Sequence, residues 1–300
     1  MTFRRSAAKI LYLSAGVLTA LILSDSSVAA PQKQSVVSVA APMLTRTATR
    51  HESRRFAYGG TVTVVGAPQG SIAIEGWSRS EVEITADIEL RADTEEDLNL
   101  LATVNRFVFD EDMNHLRVLT TGSHDKVFMR RVAKDFPKRL LGLPWKIDYR
   151  IRVPVFTDLE INAGRGAINL SGVEGAIQLS ATESETTLSL IGGTVNATIA
   201  WGKVSVRIPV RNWRGGGADI RLAAGDLTVE LPPGFNGDID ADILRSGHID
   251  ESYGALEARE RPGLTPQVIK ARAGVGGAFF RFKVGDGTLF IKKAVTDREP

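Results

Sequence analysis

Asp238, Asp240 and Asp242 alternate with apolar residues, so on a strand their carboxylates share one face. Asp250 follows a coil-like interval later. Two carboxylates at a suitable separation can act as general acid and general base on a glycosidic bond. The plainer reading is a solvated charged face, and a calcium site is a third. Trp201 and Trp213 lie near turns beside Arg207, Arg211, Arg214 and Arg221. Indoles with guanidiniums can stack on sugar rings or dock an anionic partner. The plainer reading there is that both indoles pack over corners. Trp201, Arg211, Trp213 and Arg214 form the candidate recognition patch.

Other chemistry finds less support. His51, His115, His124 and His248 are scattered, and no Gly-x-Ser-x-Gly occurs, so a hydrolase triad has no sequence footing. His115 and His124 lie nine apart with no partner pattern for zinc. Gly202-Lys203 is no phosphate loop, because Ala197 and Val204 occupy positions that need glycine and a hydroxyl. Gly215-Gly216-Gly217-Ala218-Asp219-Ile220 only echoes a calcium-binding roll, with Arg214 at its first glycine position. Gly274-Val275-Gly276-Gly277 lacks the context of a nucleotide site and reads as a turn. No cofactor and no metal are expected. The chain has no cysteine, which removes disulfides, thiolate sites and cysteine acylation.

The formal charge of +2 arises at the start of the chain. Residues 1–30 carry Arg4, Arg5 and Lys9 against Asp25, and the remainder balances 34 basic with 34 acidic residues. A neutral body has no long-range field for nucleic acid or acidic membranes. The same opening residues read as an export signal, with Ile10 to Leu23 as the apolar stretch and cleavage after Ala30. An uncleaved anchor is the alternative, although the stretch is short for a span. Residues 31–55 are polar and aperiodic and are expected to form a flexible leader. The charged tail 294–300 is expected to fray.

From Phe56 to Leu90 the apolar period is two, with turns at Gly59-Gly60 and Pro68-Gln69-Gly70. A helix is expected at 94–104, with Asp93 and Glu96 as its capping box. Residues 126–146 form a basic amphipathic excursion, in which Lys126, Arg130, Arg131, Lys134, Lys138, Arg139 and Lys146 oppose Asp135 alone. It either caps the fold with its bases in water or touches an anionic membrane surface. Beyond Ile147 one unit returns: glycine, any residue, apolar, polar, apolar. It begins at Gly166, Gly175, Gly193, Gly202, Gly225, Gly237 and Gly287. Six of the seven central residues are polar, and Phe290 is the exception. Such a pattern buries one face of each strand, and repeated strand-plus-corner units build a stack.

The sequence resembles the bacterial putative-adhesin family, a domain of unknown function with a β-solenoid fold. The resemblance rests on Gly70-Ser71-Ile72-Ala73-Ile74-Glu75-Gly76-Trp77, on Arg150-Ile151-Arg152-Val153-Pro154, on the glycine units, and on Gly285 to Ile291. It spans roughly Phe56 to Lys292 and implies an exported, non-enzymatic envelope protein. The expected architecture is all-β: an irregular β-solenoid over 56–293 with one inserted short helix. The expected role is binding or adhesion through its surface to an envelope protein or polysaccharide. The compartment would be the periplasm, the outer membrane or the medium. A polysaccharide-processing β-helix enzyme using Asp240 and its neighbours, and a structural or regulatory envelope component, are the alternatives.

Overall fold

The computed structural model describes residues 43–132, 134–261 and 263–294. The expected signal segment, its cleavage after Ala30 and most of the tail lie outside them. The chain opens with β1 (Leu44–Arg55), β2 (Thr61–Val65), β3 (Ile72–Trp77) and β4 (Glu81–Ala92), then α1 (Glu95–Val104). β5 (Arg106–Asp112) and β6 (His115–Thr121) precede α2 (Lys126–Val132) and a 3-10 turn (Lys138–Leu140). β7 (Trp145–Pro154), β8 (Asp158–Arg165) and β9 (Ile168–Ser171) lead into the long strands β10 (Ala176–Ser189), β11 (Thr194–Arg207), β12 (Gly217–Leu231) and β13 (Gly237–Glu251). β14 (Leu256–Ala258), β15 (Val268–Ala273) and β16 (Phe279–Lys293) complete the order. The protein is all-β, with one large mixed sheet.

The sheet is creased. β10 pairs in parallel with β8 through its first half and with β9 through its second. β11, β12 and β16 continue both halves in register. The inward residues therefore line up across strands. One column runs Leu116, Val62, Leu159, Ile177, Val195, Ala218, Phe280, Ile239. Beyond the crease another runs Tyr149, Ile72, Ile168, Thr186, Val204, Leu227, Leu289, Ile249. All of these are buried. Each buried aliphatic side chain contributes about 1.5–3 kcal/mol by leaving water. Asn169, Gln178 and Asn196, which alternate with them, are exposed.

Glycine makes the crease. At Gly225 φ is +129°, and a Cβ there would sit 1.8 Å from the Gly202 carbonyl oxygen. Only a residue without a side chain fits that dihedral and that approach. Gly166, Gly202 and Gly287 occupy the same line. Gly175 and Gly193 form a second line at the strand starts, where a Cβ on Gly193 would meet the Gly175 carbonyl oxygen at 2.2 Å. The uniform sequence unit thus serves two distinct corners.

Several expectations need correction. Residues 44–55 are no flexible leader: they form β1, antiparallel to β4 over its full length. The helix is capped one residue later than expected, by the Thr94 hydroxyl accepting from the Asp97 amide at 3.1 Å. There are two α-helices among the described residues, not one. Nor do strands stack strictly in chain order, because β16 lies between β12 and β13. β16 sets Phe280 between Ala218 and Ile239, and Phe282 between Ile220 and Ala241, so each large ring has one small neighbour.

Candidate functional site

The crease leaves a groove of about 620 Å³ on the outer surface. Its floor is bare backbone at Gly166, Gly202 and Gly225, where side chains are sterically forbidden. Two rows of side chains form its walls. One row is Arg165, Glu183 and Trp201, side by side on β8, β10 and β11. The other is Glu185, Lys203 and Asp226. Neighbouring strands lie about 4.8 Å apart, so the groove crosses them in short regular steps. Ser184 occupies the glycine position in β10 with its side chain turned inward, buried, and accepting from the Thr186 hydroxyl at 2.9 Å.

Trp201 dominates the groove. Its residue is 58% exposed, although large indoles are normally covered. Arg165 and Glu183 pair at 3.2 Å along the same wall. Asp226 accepts the Thr288 amide at 3.1 Å. An exposed indole flanked by donors and acceptors of both signs suits a ligand that has flat apolar faces and hydroxyl edges. Beyond Asp226, Arg245 covers the bend, donating to the Ala223 carbonyl at 2.8 Å and to Asp286 at 2.6 Å.

The candidate patch does not form one surface. Trp213 belongs to the other corner: its Nε1 donates to the Gly193 carbonyl at 3.0 Å, and its ring meets Phe280 edge-on at 5.2 Å. Arg214 pairs with Glu174 at 2.7 Å. Arg211 is exposed, and its carbonyl accepts the Asn236 amide at 2.9 Å. Arg221 is held by Asp219 at 2.8 Å. Trp201 faces different partners from all of these.

Asp238 and Asp240 do share a face, but arginines occupy it. Arg259 bonds Asp240 at 2.6 Å, and Arg272 bonds Asp238 at 3.0 Å. Arg259 also lies 5.0 Å over the Phe279 ring. The carboxylates therefore tie β13 to its antiparallel neighbour β15 and to the segment just after β14. Asp250 is exposed, further along β13 beyond its bulge.

His115 gains a partner that sequence distance concealed. Its Nε2 lies 2.6 Å from the Thr63 hydroxyl, which donates to Glu160 at 2.9 Å across β6, β2 and β8. Thr63 is buried, so this chain serves as a cross-strand tie. Among the described residues no group of three His, Cys, Asp or Glu side chains is placed to hold a metal.

The basic excursion is anchored at its inner side. Leu140 is buried in the core, with Phe136 and Leu143 packed against it. Arg139 bonds both oxygens of Asp97 on α1. Asp125 accepts the amides of Val127 and Phe128 at the start of α2. These backbone bonds hold its carboxyl below the ordinary aspartate range, the Phe128 amide being the largest cause.

No protein-family model matches the chain, and no curated protein matches it. The solved structures similar to it include three that cover 82% of it. A putative cell adhesion protein from Clostridium sporogenes is 13% identical, is covered over 100% of its length and has a TM-score of 0.43. A putative adhesin from Bacteroides fragilis is 11% identical, 97% covered, with a TM-score of 0.32. A putative lipid binding protein from Parabacteroides distasonis is 11% identical, 97% covered, with a TM-score of 0.25.

Proposed function

We propose that the chain is an exported, non-catalytic binding protein of the β-solenoid type, and that it holds a polysaccharide strand in the Trp201 groove. The observation that carries this reading is the glycine-floored groove with one exposed indole on its wall. An aromatic face and closely spaced polar groups match the two sides of a sugar ring. The groove crosses several strands, which suits a linear chain of sugars more than a single small molecule. Parallel ladders in register, repeating after 18 residues between β10 and β11, support the solenoid reading. The apolar and basic start of the sequence supports export.

A glycan array followed by affinity electrophoresis tests the reading. Trp201→Ala is expected to weaken retention on the polysaccharide bound by the parent protein at least about tenfold, the scale of one buried aromatic contact. Unchanged retention would remove the groove from consideration. Chain cleavage abolished by Asp240→Asn would replace a binding role with an enzymatic one.

A further inference from the structure

We propose that the segment from Lys126 to Leu143 docks the protein on an anionic phospholipid bilayer. Lys126, Arg130, Arg131, Lys134 and Lys138 are exposed and form no ion pair among the described residues. Most other arginines of the fold are neutralised by a nearby carboxylate, as Arg139 is by Asp97. The only acid in the sequence of the segment is the exposed Asp135, and Asp125 just before it is engaged by helix amides. Positive charge is thus concentrated on one excursion of an otherwise balanced body.

Apolar groups accompany the charge. Val127 is 62% exposed and Leu141 is 41% exposed. Met129, Phe136 and Leu141 line a hollow of about 320 Å³, with Arg130, Lys134 and Lys138 around it. Cations rimming an apolar hollow match a bilayer surface, where phosphates lie just outside acyl chains. A soluble polyanion would use the rim and leave Val127 and Leu141 in water. Leu140 and the Arg139–Asp97 contact hold the backbone near Lys138, while buried Met129 and the Asp125 cap hold α2. No described helix is long and apolar enough to cross a membrane.

Co-sedimentation of the purified chain with vesicles provides the test. Binding is expected to phosphatidylcholine mixed with phosphatidylglycerol, not to phosphatidylcholine alone, and it should fall as salt is raised. Arg130→Glu with Lys134→Glu should weaken binding by about fivefold or more for each charge reversed. Leu141→Ser removes the apolar group without adding charge and should weaken vesicle binding while leaving any binding to dextran sulfate unchanged. All three sites are exposed, and an unchanged melting temperature confirms that each variant is folded. No binding to the mixed vesicles overturns the proposal. So does vesicle binding that is indifferent to Leu141→Ser and is matched by dextran sulfate, which would mark a general polyanion site.

Discussion

Arg139 grips Asp97 with both terminal guanidinium nitrogens, each 2.6 Å from a carboxylate oxygen. The two residues lie 42 positions apart, and their contact fastens the basic segment to α1. The Asp97 side chain is only 5% exposed, so removing the arginine strands a nearly covered carboxylate. Arg139→Ala is expected to speed tryptic cleavage after Lys134 and Lys138 while amide exchange in β10 to β12 stays slow. Equal loosening of both regions would refute a local role.

The same contact has a pH signature. The Arg139 guanidinium, above all through its hydrogen bonds, holds Asp97 below its ordinary value of 3.8. A depressed folded pKa gives stability that is present above the unfolded value and is lost as pH falls through the folded one. The stability gap between the parent and Arg139→Ala should therefore be constant near neutrality and should shrink once pH drops below 3.8. Urea melts across that range measure it.

Gly225→Ala tests the crease. The added carbon would meet the Gly202 carbonyl oxygen at 1.8 Å, with φ at +129°. A loss of about 3 kcal/mol or more is expected from strain and displacement. Gly142→Ala has open space and should change stability by no more than about 0.5 kcal/mol. Chemical denaturation of both variants provides the comparison.

Phe280 joins the core to Trp213. It is fully buried and meets Trp213 and Phe235 edge-on, each at 5.2 Å. Phe280→Ala should cost about 3–5 kcal/mol and alter the near-ultraviolet signal of Trp213. A cost below 1 kcal/mol, well under the usual range for a buried ring, would mean that the β12–β16–β13 order is wrong.

The tryptophans separate by exposure. Among Trp77, Trp145, Trp201 and Trp213, Trp201 alone is exposed. Iodide should quench mainly its emission, and Trp201→Phe should remove most of that quenching. Its effect on stability should stay within about 0.5 kcal/mol. A strongly destabilised Trp201→Phe would place the indole in the core instead.

Much of the core was legible before any coordinates. Ile168, Ile177, Val204 and Leu227 follow a period of two behind glycine, and all are buried. β1 was not legible, because its residues are exposed or half-buried and lack alternating apolar side chains. Cross-strand pairing with β4 makes it a strand, and no local pattern records that. Trp201 stood out as an aromatic, but its sequence neighbours misled. Its real companions are Glu183, 18 residues before it, and Ala224, 23 residues after it. Trp213 and Arg214 sit near it in sequence yet serve another corner. The groove itself has no sequence signature beyond glycine, since it consists of side chains that are missing.

The groove floor has a modular consequence. β11 and β12 each supply one glycine to it, Gly166 adds a third just after β8, and Arg245 marks where it stops. Duplicating a single strand-and-corner unit upstream of Arg245 would lengthen the trough by about 4.8 Å without redesigning its chemistry. Deleting one would shorten it by the same increment. Reach along a partner would then be set by counting repeats, much as a ruler is set by its divisions.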